Sequence, residues 1–233
     1  FVAPRQGTYS AGTRAKLQIE QLPGDGADAQ HALCDLDGFS HVWLLFAFHL
    51  VANQPLRPKV HVPRLGGQRK GVFATRSPHR PNPIGLSLVR LDGILDDTLF
   101  LSGVDLVHGT PVLDIKPFIP AYDSPNVRDV RLPQWIEDAG KATCSVVLTR
   151  QAHTDAIAVS DKLDLLHNAD ELVQVVIDIL AADPRPAYRK REPIGRYEFD
   201  CDAAHVISTF RSSNHVVAGS GLSLDPFRAE NVA

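Results

Sequence analysis

Three prolines within six positions, Pro78, Pro81 and Pro83, constrain the stretch SPHRPNPIG at 77–85 more tightly than any other part of the chain. Each ring fixes φ at about −65° and removes a backbone donor, so neither a helix nor a sheet interior survives there. The stretch must be a loop. Its flanks, GVFATR at 71–76 and IGLSLVRLDGIL at 84–95, alternate apolar and polar residues as strands do. A rigid loop between strands loses little further conformational freedom when a ligand settles on it. Two fixed cations, Arg76 and Arg80, and the amide of Asn82 accompany the prolines. Guanidinium forks suit a carboxylate, a phosphate or the face of a base, and Asn82 suits an adenine edge or a ribose. The loop reads as a ligand holder, with a rigid corner carrying incidental arginines as the plainer alternative.

The same strand-and-turn grammar runs through residues 1–140. AKLQIEQL (15–22) is a short alternating strand, and FSHVWLLFAFHLV (39–51) is apolar throughout, as a strand covered on both faces would be. TLFLSGVDL (98–106) and GTPVLDIKPFIP (109–120) are further extended pieces, and only ADAQHALCDLDG (27–38) looks helical. Many short strands with short links predict a small antiparallel β-barrel or sandwich. From Lys141 the pattern changes. KATCSVVLTRQA (141–152) predicts a strand, and LDLLHNADELVQVVIDILAADP (163–184) a helix that ends at Asp183-Pro184-Arg185-Pro186. REPIGRYEFDCDAAHVISTF (191–210) predicts a strand pair, followed by a loose polar tail. The fold class expected is mainly β, with a barrel domain over 1–140 and a smaller α+β domain over 141–233, divided at the charged turn EDAGK.

The net charge of −3 hides a segregated distribution. No acidic residue lies between Asp37 and Asp92, an interval holding Arg57, Lys59, Arg64, Arg69, Lys70, Arg76, Arg80 and Arg90. A basic surface confined to one region is the footprint of a polyanion partner; a solvated face neutralised from elsewhere in the fold is the alternative. Cys34, Cys144 and Cys201 are few and unclustered, which fits a reducing, cytoplasmic compartment and no disulfide framework. No apolar run reaches the ~18–20 residues that span a bilayer. The chain begins at Phe1 and contains no methionine, so a clipped start or replaced residues are expected. Glycine-rich phosphate loops, dinucleotide fingerprints and the Gly-x-Ser-x-Gly elbow are missing, which argues against nucleotide hydrolysis and serine-hydrolase chemistry. His41 and His49, an even number apart, would share a strand face. Their spacing lacks the tightness of a metal pair and no cysteine supports them, so no metal is expected.

GVFATRSPHRPNPIG resembles the signature of the TrmO family, also called TsaA or YaeB, which are S-adenosylmethionine-dependent tRNA methyltransferases. The resemblance continues in PRQG (4–7), LDGFSHVWLLFAFH (36–49), PRLGG (63–67) and DLVHGTPVLDIKPFIP (105–120). DPRPAY (183–188) resembles a motif of the smaller C-terminal domain of bacterial members. The strand that ordinarily precedes the first motif is absent here.

The resemblance implies a β-barrel methyltransferase of non-Rossmann type, S-adenosylmethionine as cofactor, and a homodimer with its cofactor pocket near the subunit interface. It implies tRNA as substrate, methylated on N6-threonylcarbamoyladenosine beside the anticodon. Carried onto this chain, it implies cofactor contacts from Arg5, Gln6 and Gly7, His49 and Leu50, Arg76 and Leu86, and Thr110, Pro111, Val112, Leu113 and Asp114. The expected substrate contacts are Arg80, Asn82 and Lys116, with Arg64, Arg69 and Lys70 meeting the phosphate backbone. The target nitrogen shares its lone pair with a purine and a carbonyl, so its proton must be weakened or lost. Arg80, Arg76 or Lys116 would stabilise the resulting anion or grip the threonyl carboxylate. Asp114 is the candidate base or water-orienter, or else a contact to the cofactor's amino group or ribose. A non-catalytic RNA-binding barrel and a histidine-based metal hydrolase are the rival readings.

Overall fold

The structure, a computed structural model, describes residues 12–20, 29–51, 57–62, 68–139, 144–185, 189, 192, 194–212 and 215–224. Two compact bodies are present, one spanning Thr13–Glu137 and the other containing Asp138–Ala233. In the first, strands β1 (Arg14–Gln18), β2 (His41–Ala47), β5 (Ile84–Leu95), β6 (Thr98–Ser102) and β7 (Val112–Pro117) form one sheet. Their order is β1-β6-β5-β2-β7, and every neighbouring pair is antiparallel. Among the described residues β1 and β7 are the outermost strands, and no closure into a barrel is found. Strands β3 (Lys59–His61) and β4 (Arg69–Gly71) pair separately as a hairpin. The helices here are short: α1 (Ala29–Ala32), α2 (Pro120–Asp123) and α3 (Gln134–Ala139).

One face of the sheet holds the core. Val42, Leu44 and Phe46 of β2 meet Val89 and Leu91 of β5 and Leu99 and Leu101 of β6. Each such side chain stabilises the fold by about 1.5–3 kcal/mol through burial. The apolar run at 39–51 is therefore covered on one face, not two. The strand stops at Ala47, and His41, Trp43, Leu45 and Ala47 are only half-buried on the opposite side. There Phe118 makes edge contacts with the rings of His41 and Trp43. GVFATR also departs from expectation, since its strand ends at Gly71 and Val72–Ala74 is a 3-10 turn. Gly85 is required by packing: the Phe46 ring lies where a Cβ would stand.

The second body has strands β8 (Ser145–Leu148), β9 (Gly195–Cys201), β10 (Ala204–Ser212) and β11 (His215–Leu224), with helices α4 (Arg150–Val159) and α5 (Ala169–Ala181). Sheet order is β8-β11-β10-β9, with β8 and β11 parallel. Helix α5 buries Leu172, Val175, Val176, Ile179 and Leu180, the one-sided stripe its sequence spells. It is shorter than the apolar run suggested. Asn168 caps it by accepting from the Glu171 N–H at 2.9 Å, and the Glu171 carboxylate accepts from the His167 N–H at 2.8 Å. The preceding Leu163–His167 is not helical, because the Asp202 carboxylate draws off the N–H groups of Asp164, Leu165 and Leu166 at 2.8–3.0 Å. The polar tail holds β11, the strand between β8 and β10. Arg185 of the DPRP motif is 2% exposed, forks onto Asp183 at 2.9 and 3.2 Å and stacks 3.6 Å over Phe210. No helix among the described residues is long and apolar enough to cross a membrane.

Candidate functional site

The register of β5, β2 and β7 gathers the sequence motifs at one end of the first sheet. Leu86 pairs with Leu45, and Leu45 with Asp114, so the three stand in one row across three strands. The next row on the same face is Leu88, Trp43 and Lys116. Between Leu45 and Phe46 the ladder slips, leaving Leu113 of β7 unpaired as a bulge. A bulge breaks strict alternation, and here it leaves the consecutive residues Leu113 and Asp114 both exposed.

Two backbone bonds bring in the remaining motifs. The Ala47 N–H donates to the Pro111 carbonyl at 3.0 Å, and the Phe48 N–H donates to the Pro83 carbonyl at 2.7 Å. The end of β2 is thus clasped between the proline loop and the 107–111 turn. That turn is closed by the Thr110 hydroxyl, which donates to the Val107 carbonyl at 2.6 Å, and by Gly109 at φ 74°. The conformation favours glycine because it has no Cβ. His49 and Leu50 follow directly in a 3-10 turn, Leu50 being 66% exposed. His49, Leu50, Leu86 and Thr110–Asp114 are therefore placed along the same end of the sheet. His41 and His49 do not share a strand face as expected, because β2 ends between them. Among the described residues no group of three or more metal-ligating side chains gathers.

The proline loop is held by its own hydrogen bonds. Arg80 Nη1 donates to the carbonyls of Thr75 and Ser77, both at 3.2 Å, and the Arg80 N–H donates to the Pro78 carbonyl at 2.9 Å. One arm of the fork is spent inside the loop, while Arg76 and Asn82 are exposed. Asp114 is committed too. One oxygen accepts from the Ile115 N–H at 2.9 Å and the other meets Lys116 Nζ at 2.8 Å. The hydrogen bond from Lys116 is the main cause holding the Asp114 carboxyl below its ordinary 3.8.

The cationic interval divides in the same way. Arg90 pairs with Asp92 at 3.3 Å, an acid it shares with Arg14 at 3.0 Å. Lys70 Nζ stands 5.7 Å from the Trp135 ring, and Arg69 Nε donates to His61 Nε2 at 3.1 Å. Arg57, Lys59, Arg69 and Arg76 are exposed. Arg5, Gln6, Gly7 and Arg64 lie outside the described residues. A contact absent from the sequence reading is Ser87, 8% exposed, whose hydroxyl donates to Asp105 Oδ1 at 2.6 Å. Its signal was present: Ser87 is the polar residue among the inward positions 85, 87, 89 and 91 of β5. The bond ties the DLVHGTP segment to the strand that leaves the proline loop.

Comparison with known proteins gives the family. Residues 1–124 match the tRNA-methyltransferase O N-terminal domain. The chain is 44% identical over 198 residues to the Pseudomonas aeruginosa protein RcsF, whose name describes an S-adenosylmethionine-dependent methyltransferase; the match covers 84% of this chain and 80% of that one. It is 38% identical over 205 residues to the tRNA (adenine(37)-N6)-methyltransferase of Escherichia coli K12, again covering 84% and 80%. Its fold is similar to a crystal structure of TrmO from P. aeruginosa, with TM-score 0.70 and 36% identity over 94% of this chain and 87% of that one. On a match to more than half its length, and on relatives aligned over most of theirs, the chain belongs to the tRNA-methyltransferase O family.

Proposed function

We propose that this chain methylates the N6 nitrogen of N6-threonylcarbamoyladenosine beside the anticodon of tRNA. Membership of the family makes it an S-adenosylmethionine-dependent tRNA methyltransferase; the threonylcarbamoyl group is the finer part of the reading. The observation that carries the proposal is the placement of His49, Leu50, Leu86 and Thr110–Asp114 along one end of the sheet, beside the proline loop.

That group of residues suits the cofactor. Exposed Leu50, Leu86 and Leu113 offer apolar surface to an adenine ring, and the Asp114 carboxylate suits an ammonium or a ribose hydroxyl. S-adenosylmethionine supplies an electrophilic methyl group on a sulfonium, displaced in line, so positioning provides most of the catalysis. Asp114 is a weak base in its present state, since Lys116 holds its carboxyl low. Its role in the proposal is therefore to bind and orient. Lys116 sits next to it as a cation for the anionic character that develops when the target nitrogen releases its proton to water. Arg80 keeps Nε and Nη2 without a partner among the described residues, and these face the task of holding the threonyl carboxylate. Asn82 adds a base-edge contact.

The proposal extends to a homodimer with its pocket near the subunit interface, supported by the apolar Leu50, Ile84, Leu86 and Leu113 that the single chain leaves exposed. It also includes a barrel-like curl of the sheet, supported by all-antiparallel pairing and bulges in β5 and β7 that bend strands. A tRNA contact from the second body, where Arg189 and Arg211 are exposed, and a cytoplasmic location complete it. The test uses labelled S-adenosylmethionine and two tRNA pools, with and without the threonylcarbamoyl group. Label should enter only the modified pool. Equal labelling of both pools would leave a tRNA methyltransferase with a different substrate atom.

A further inference from the structure

Phe73 is out of place on the surface that carries it. It is the middle residue of the Val72–Ala74 turn and is 78% exposed. The backbone beneath it is pinned. Val72 is buried, its N–H donates to the Pro58 carbonyl at 3.0 Å, and its carbonyl accepts from the Thr75 N–H and hydroxyl at 3.1 and 2.9 Å. The ring is therefore held outward by a rigid turn, not left at the tip of a slack one.

Cations surround that turn in the chain and across the hairpin. Lys59 pairs with Gly71, two residues before the ring, and Arg57 precedes Lys59 beside the Pro58 that accepts from Val72. Arg69 lies on β4, and Arg76 follows three residues after the ring. Among the described residues none of Arg57, Lys59, Arg69 and Arg76 enters an ion pair, and no acid occurs between Asp37 and Asp92. Along the chain the exposed neighbours of Phe73 are Gly71, Ala74 and Arg76, with no large apolar side chain among them. An aromatic face among fixed positive charges matches an unpaired nucleotide, flat and apolar at the base and anionic at the phosphates.

We propose that Phe73 is a stacking platform for an unpaired base of the tRNA loop that presents the methylated adenosine. The inference rests on the tRNA methyltransferase reading above and adds a substrate contact that lies outside the motif-derived set. Because the ring is exposed and Val72 anchors the turn, substitutions at Phe73 should leave the melting temperature unchanged.

The experiment compares the parent chain with Phe73→Ala, Phe73→Leu, Phe73→Tyr and Phe73→Trp. Binding of tRNA at fixed salt, binding of S-adenosylmethionine and single-turnover rate are measured for each. Ala and Leu should weaken tRNA binding by about tenfold to a hundredfold, the range of one base–aromatic stack, with cofactor affinity unchanged. Tyr and Trp should stay within about threefold of the parent, because they keep a π face. The Phe73→Trp emission should also be quenched by tRNA, beyond any change from Trp43 and Trp135 in the parent. Parent-like tRNA binding by the Leu variant would overturn stacking in favour of simple apolar contact. Altered cofactor affinity or oligomeric state in the Ala variant would assign the ring to the pocket or to a subunit contact. If the parent methylates tRNA and Phe73→Ala binds it equally well, this inference alone fails. If the parent neither binds nor methylates tRNA, the proposed function fails with it.

Discussion

Arg80 shows how a residue singled out by type can acquire a second duty from its geometry. From the sequence it is a free guanidinium beside three prolines, ready for an anion. In the structure one arm bridges the carbonyls of Thr75 and Ser77, so the side chain also stiffens the loop that bears it. Arg80→Ala should then slacken the loop and lower cofactor affinity and single-turnover rate together, each by about tenfold, the worth of a charge-assisted hydrogen bond. Arg80→Lys should recover only part, since an ammonium keeps the charge without the planar fork. Cofactor titration and rates at saturation separate the two effects. A rate loss at unchanged affinity would assign Arg80 to the substrate alone. Asp114 changed in the same manner, from candidate base to a paired carboxylate, because its neighbour two positions on along β7 is Lys116. Residue types were readable in advance; whether a side chain points at the ligand or at its own backbone was not.

At the scale of elements, legibility followed burial. Helix α5 and strands β5 and β6 carry large apolar residues at clear periods and were readable from them. Helix α4 was not, because its buried face is Ala152, Ala156 and Val159, too small to mark a stripe. Strand β11 was hidden by glycine and serine in HVVAGSGLSL; its position between β8 and β10 fixes it. The β9–β10 pair adds a pH-dependent element that no pattern announces. His205 bonds Asp200 through Nδ1 at 2.6 Å and Glu198 through Nε2 at 3.2 Å. The Asp200 hydrogen bond is the main cause raising the His205 pKa above its ordinary 6.5. A folded-state pKa above the unfolded one stabilises fully below 6.5, and the contribution is lost as pH rises through the raised value. The melting-temperature gap between the parent and His205→Gln should therefore be widest just below pH 6.5 and shrink toward alkaline pH. A gap that grows with pH would show that the imidazolium does not support the pair.

For the whole molecule, the acid-free interval gives the first body a local charge that the net value of −3 conceals. The structure trims the set available to RNA. Arg90 is offset in part by Asp92, which it shares with Arg14, and Arg80 is partly enclosed, leaving Arg57, Lys59, Arg69, Lys70 and Arg76 among the described residues. Five phosphate contacts would give a slope of about −4 for log affinity against log salt. Filter binding of tRNA between roughly 50 and 200 mM salt should show that fall. A flat response would move recognition away from the phosphates. Arg90→Ala should lower the slope less than Arg57→Ala, since Asp92 offsets part of the Arg90 charge.

The sequence by itself determined the strand-rich character of the first 140 residues, the proline loop, the helix α5 and the family signature. Each of these depends on local chemistry: ring-locked φ, periodic apolar residues, or a contiguous motif. Tertiary structure decided what sequence-distant segments do to one another. It set the register that aligns Leu86, Leu45 and Asp114, and the bulge that exposes Leu113 beside Asp114. It also pinned the end of β2 between Pro83 and Pro111. The Asp202 carboxylate, which keeps Leu163–His167 out of the helix, makes the same point. Backbone groups take whichever partner folding brings within reach, and a partner 37 residues away leaves no trace in the local pattern.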